Sequence, residues 1–292
     1  MDLRPSSGER ASASGCDNFI VCHAPNTVLE VDLMHFLAQI KLIQGGMGVY
    51  VSNWRLAKAV AAARPGATAG TVSGTALDVV YVRLLQLGDP GGHARRALAA
   101  FDNAFGTGIG QTICERYFID GGKAPDARFK STPMQIIRAQ ALAVRGSSSA
   151  PAAVPLHLPE EVVELLIATG FAEVWLAKEG HQGNIFINFV NKIELPLMYV
   201  LYGAMLAGVD GVVVGAGNPD GLPARCSQLA HHAAVTKQLP VLYQEAGEAF
   251  TLTFDPQQLY NGAFTKNPLK RPAFLALVAL DGLVQALAAS VR

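Results

Sequence analysis

Short apolar runs alternate with longer amphipathic stretches along most of this chain, and glycine marks many of the changes from one to the other. Residues 1–28 carry no apolar period and read as a flexible leader. Leu29, Val31, Leu33, Phe36 and Leu37 predict a short helix over 29–39 that covers one end of a core. Ile40–Ile43 reads as a strand, and Ser52 and Asn53 offer N-caps to an Ala-rich helix ending at Ala63. Ala69–Ser73 is a second strand. Val80, Leu84, Leu85 and Leu87 give Asp78–Leu87 the spacing of an amphipathic helix, and another helix follows over Gly92–Phe101. Residues 104–115 have helical character weakened by Gly106, Gly108 and Gly110, residues 119–135 read as loop, and the Ser- and Pro-rich stretch 145–155 reads as a mobile loop.

Regular pattern returns at Pro159, which starts a helix over Glu160–Thr169 with Gly170 just past its end. Phe171–Ala177 then reads as a strand that ends in Lys178-Glu179-Gly180-His181. Helices follow over Pro196–Ala207 and Pro223–Ala234, with a strand at Val209–Val214 between them. Val241–Gln244 and Phe250–Phe254 flank Gly247 as a β-hairpin. Phe274–Leu280 is a last strand and Gly282–Val291 a closing helix. Nearly continuous apolar strands alternating with helices imply parallel β-structure in an α/β fold. In such folds ligands sit at the carboxyl ends of the strands.

Composition narrows the functional classes. The 292 residues are half hydrophobic and carry no formal net charge, enough for a substantial core. Lysine and arginine do not cluster with aromatics, so nothing favours a nucleic-acid partner. No uncharged apolar run reaches the ~20 residues of a membrane span, and residues 1–15 lack the apolar segment of a secretory signal. The expectation is a cytoplasmic protein without membrane contact. Cys16, Cys22, Cys114 and Cys226 are scattered and read as reduced thiols, and His231 and His232 do not suit a shared metal.

The candidate chemistry lies at the expected strand ends. Gln44-Gly45-Gly46-Met47-Gly48 is either a backbone platform under a cofactor ring, with Met47 as a polarisable wall, or an ordinary tight turn. Its glycine spacing does not match a dinucleotide fingerprint. Ser73, Gly74 and Thr75 either hydrogen-bond a cofactor or cap the next helix. Lys178, Glu179 and His181 form the densest polar cluster after an expected strand. They can offer charge and acid–base chemistry, or form a solvated loop. No nucleophile elbow or carboxylate pair stands out, which favours a cofactor as the reactive element.

Three long segments resemble the nitronate monooxygenase (2-nitropropane dioxygenase-like) flavoproteins. They are IQGGMGVYVSNWRLAKAV over Ile43–Val60, the Thr71–Leu98 stretch with TVSGTALD and LQLGDPGGHARRAL, and the Phe171–Gly217 stretch with VWLAKEGHQGNIFINFVNKIELP and LYGAMLAGVDGVVVGAG. The shorter RYFIDGGKAPDA and LKRPAFLALV agree in order. The resemblance implies an FMN-binding (β/α)8 TIM barrel over residues 29–292 that oxidises alkyl nitronates with molecular oxygen. It implies that Gly45, Gly46, Met47, Ser73, Gly74, Thr75, Lys178 and Glu179 line the flavin, with His181 as the candidate catalytic group. The chain is similar also to flavin enoyl reductases of fatty-acid and polyketide synthesis. Two departures qualify the match. Tyr50 stands where the family pattern has a small residue, and the family's GGH-containing segment and phosphate loops are not found after the last strand. These give the expectation of a barrel incomplete at its C-terminus with a β-hairpin insertion. Such a chain is either a catalytically inactive or binding-only protein, or one completed by another chain or a homo-oligomer.

Overall fold

Branched and aromatic runs become a parallel sheet whose strands follow one another in chain order. The computed structural model describes residues 19–20, 35–135, 138–139, 153–216, 219, 221–243 and 249–277. Its main sheet contains β1 (Phe19–Ile20), β2 (Leu42–Ile43), β3 (Thr68–Ser73), β6 (Asn184–Val190), β7 (Gly211–Ala216) and β10 (Ala273–Leu277). The order is β1-β10-β7-β6-β3-β2, in which β1 alone runs antiparallel. The five parallel strands curl into a half-barrel. Because their order never reverses, the winding is that of a barrel rather than of a doubly wound sheet. A second sheet, β4 (Arg138–Ala139), β5 (Ala153–His157), β9 (Ala249–Phe254) and β8 (Val235–Leu239), has β5 and β9 parallel and its outer pairs antiparallel.

The helices are α1 (residues 35–39), α2 (Trp54–Ala63), α3 (Leu77–Gln86), α4 (His93–Phe105), α5 (Ile109–Tyr117), α6 (Glu160–Lys178), α7 (Glu194–Leu206) and α8 (Leu222–Ala230). Alternation along the strands divides the core in two. Val72, Ile185, Ile187, Val212 and Val214 face the helices and join the large core. Ala69, Phe186, Val213, Ala273 and Leu275 face the other way, into a smaller cluster that Phe36, Leu37 and Ile40 cover. Among the described residues no helix is long and apolar enough to cross a membrane.

The expected strand at Phe171–Ala177 is instead the second half of α6, a continuous 19-residue helix. Val162, Val163, the run Leu165–Val174, Leu176 and Ala177 are all buried. A helix enclosed on every side has no apolar stripe, so its sequence resembles a buried strand. Gly170 does not stop this helix. A Cβ there would stand 2.5 Å from the Val200 carbonyl oxygen, so glycine permits the close crossing of α6 and α7. The parallel strand comes later, at Asn184–Val190. The hairpin partner of β9 is Val235–Leu239 rather than Val241–Gln244. Val241, Leu242 and Tyr243 are loop residues, and Gln244 lies outside the described residues. Pro155, expected in a loop, belongs to β5, while residues 145–152 and the closing helix at Gly282–Val291 lie outside the described residues. Phe19 and Ile20 of the expected leader pair with Leu277 and Ala276.

Candidate functional site

The carboxyl edge of the half-barrel brings together the turn after β2, the turn after β3, and the ends of β6 and β7. Register sets this edge: Ile43 pairs with Ala69, Ser73 with Asn188, and Asn188 with Val213. The turn after β2 is held from within. The buried Ser52 hydroxyl accepts from the Met47 amide at 2.8 Å and donates to the Gly45 carbonyl at 3.0 Å. Gln44 accepts from the Thr71 amide at 3.0 Å and donates to Ser52 Oγ at 2.9 Å. Ser73 donates its hydroxyl to the Gly48 carbonyl, and its amide donates to the Ser52 carbonyl at 2.8 Å.

Asn188 ties the strand ends together. Its Nδ2 donates to the Gly46 carbonyl, its Oδ1 accepts from the Gly215 amide at 3.0 Å, and its own carbonyl accepts from the Gly74 amide at 2.9 Å. Sequence reasoning missed Asn188, Ser52 and Thr71. The available signal was the alternation of Asn184, Phe186 and Asn188 in NIFINFV, which puts a polar group on the inner face of a strand.

The glycines of this edge serve different needs. A Cβ on Gly46 would stand 2.5 Å from Asn188 Cβ and 2.8 Å from Thr71 Cγ2, and one on Gly74 would stand 2.6 Å from the Phe189 ring. Protein neighbours therefore explain both. Above Gly45 there is open space, with nothing within 4 Å of a Cβ. Met47 beside it is 64% exposed, and Val49 and Val51 are exposed as well. The Thr71 hydroxyl, next to Gly46 on the inner face, is buried with no hydrogen-bond partner. The Thr75 amide donates weakly to Ser73 Oγ at 3.4 Å.

Lys178, Glu179 and His181 are not at this edge. Because 171–177 is helical, these residues follow the C-terminus of α6 and precede β6, at the opposite, amino edge of the sheet. Asn188 lies four strand steps beyond Asn184, about 13 Å. Lys178 pairs with Asp210 at 2.7 Å. Arg96 grips Glu179 and, with Lys58 at 3.5 Å, holds its carboxyl below the usual range. His181 uses both ring nitrogens locally: Nε2 meets the Ala177 carbonyl at 2.7 Å and Nδ1 accepts from the Gly183 amide at 2.9 Å. That arrangement closes a helix end, so the reason for placing these residues against a ligand is lost.

Tyr50 does not crowd Gly45. With φ of 59° it occupies the left-handed region, and it lines a small space with Trp54, Tyr81 and His93. Beneath lies fully buried Glu173, which accepts from the Trp54 amide at 2.6 Å and from the Tyr81 hydroxyl at 2.9 Å. Burial raises its carboxyl to about 7, although both hydrogen bonds and the Arg55 charge act the other way. Burial, reinforced by Glu173, pushes Tyr50 up to about 12. Cys114 and Cys226 are free thiols pushed up to about 11 and about 12, mainly by burial. His232 is a packing residue, held by Tyr202 at 2.8 Å and the Asn267 carbonyl at 2.7 Å. No cluster of metal-binding side chains occurs among the described residues. Comparisons with models of protein families, with curated proteins and with solved structures give no match.

Proposed function

We propose that this chain is an FMN-dependent oxidoreductase of the nitronate monooxygenase type, built on a (β/α)8 barrel plan, with the flavin ring against the carboxyl edge of β2, β3 and β6. The observation that carries the reading is the convergence of two family-like motifs, QGGMG and SGT, on adjacent strand ends that Asn188 ties together. The donor set suits the flat ring. Gly45 leaves room above the turn, Met47 offers an exposed polarisable wall, and the Thr71 hydroxyl is buried without a partner. When bound, FMN supplies the redox chemistry between an alkyl nitronate and O2 that none of these side chains can perform.

The chain's own contribution is to hold the cradle in shape. Ser52 fixes the Gly45 carbonyl and the Met47 amide, so the turn loses little freedom when a ring lies on it. Asn188 fixes Gly46 and Gly215 at a common height. Lys178, Glu179 and His181 have no part in this reading.

The test is the visible spectrum of the purified chain after FMN loading and desalting. Retained flavin bands that bleach anaerobically with an alkyl nitronate support the reading. Retained flavin without bleaching replaces it with binding alone. A colourless chain that takes up no FMN overturns it. Asn188→Ala is expected to weaken FMN binding about tenfold, the loss of one or two hydrogen bonds in a preorganised site.

A further inference from the structure

A cavity lies beyond the turn after β6, between the first turn of α7 and the second sheet. It measures about 390 Å³, inside the ~300–1,000 Å³ that small-molecule sites occupy. Leu156 of β5, Leu239 of β8, and Leu195 and Pro196 of α7 give it apolar walls. Its charged lining is Glu194 and Lys192. Glu194 is already paired with Lys237 of β8 at 3.1 Å. Lys192 has neither an ion pair nor a hydrogen bond among the described residues. Among the described residues the cavity therefore combines largely apolar walls with one lysine that has no acidic partner.

The end of α7 adds to that charge. No side chain caps its N-terminus, so the first-turn amides of Glu194 and Leu195 keep their donors, and the helix dipole is positive there. Apolar walls do not suit a hydrated inorganic anion, which gives up its water shell at a cost no hydrocarbon repays. The free cation disfavours an amine. Both features together select a molecule with an apolar body and an anionic head.

We propose that this cavity binds aliphatic carboxylates of medium chain length, tail against Leu156, Leu195 and Leu239 and carboxylate at Lys192. The site stands apart from the flavin reading and needs no cofactor.

Calorimetric titration of the full chain without FMN tests it, with octanoate, 1-octanol and octylamine as probes. Octanoate is expected to bind with one-to-one stoichiometry. Because Lys192 is exposed, its preference over octanol is about fivefold. Octylamine is expected to bind more weakly than either. Lys192→Glu removes the preference for octanoate over octanol. Leu195→Trp, on a partly exposed helix position, fills the space and removes binding of both. Circular dichroism of each variant confirms that it is folded. No saturable octanoate binding overturns the proposal. So does equal binding of octanoate and octanol that Lys192→Glu leaves unchanged, which is the mark of a non-selective apolar surface.

Discussion

Burial raises the carboxyl of Glu173 from the ordinary 4.5 to about 7, and that shift makes folding pH-dependent. Between these values the folded protein holds a proton that the unfolded chain has released. Stability contributed by this group is therefore full below about 4.5, falls as pH rises, and is lost above about 7. Glu173→Gln keeps an acceptor for the Trp54 amide and a partner for Tyr81 without the charge. The variant is expected to flatten this part of the pH dependence and to be more stable than the parent at pH 8, by about 3 kcal/mol at most. Urea unfolding at pH 5 and pH 8 measures it, and a parallel decline in both proteins would refute the assignment. Around Glu173 stand Tyr50, Arg55 of α2, Tyr81 of α3 and Asp89, so the slope belongs to a small network.

Elements pack as closely as their smallest residues allow. Gly170 of α6 meets the Val200 backbone, and Gly203 of α7 meets the Ile167 carbonyl, so the two helices cross at backbone contact. Gly170→Ala is expected to force them apart and cost about 1–3 kcal/mol. Gly45→Ala, in open space, is expected to change stability by less than about 1 kcal/mol. It should nonetheless hinder a flat ring from resting on the turn. Denaturant midpoints of the two variants make the comparison. If Gly170→Ala left the midpoint in place, the close crossing would be wrong.

Across the whole molecule the two edges of the half-barrel are tied by different residues. At the amino edge Asp210 pairs with Lys178 at 2.7 Å and Lys270 at 3.1 Å and accepts from the Ile185 amide at 3.0 Å, joining α6, β6 and the approach to β10. At the carboxyl edge Asn188 joins the turns after β2 and β3 to β7. Barrel folds separate stability at one end from chemistry at the other. Asp210→Asn is expected to lower stability by about 1–3 kcal/mol while leaving FMN uptake by the folded fraction unchanged. Asn188→Ala is expected to show the larger effect on FMN uptake. Unfolding curves and flavin retention, measured on both variants, decide whether the division holds.

By itself the sequence determined what local chemistry determines. Asn53 caps α2 through the Arg55 and Leu56 amides, and the strands expected at Ala69–Ser73 and Val209–Val214 are present as Thr68–Ser73 and Gly211–Ala216. The parallel α/β plan and the place of the Gly45 and Ser73 turns at one edge followed from the same signals. Tertiary structure alone decided the rest. Residues 171–177 have no period because α6 is enclosed on all sides, so only packing reveals them as helix. That single change of element moves Lys178, Glu179 and His181 from the carboxyl edge of the sheet to the opposite one. It likewise reassigns the strand role to Asn184–Val190 and brings Asn188 into the site. Which glycine stands in open space and which faces a neighbouring side chain is a matter of distances between strands far apart in sequence, and local pattern holds no record of those distances.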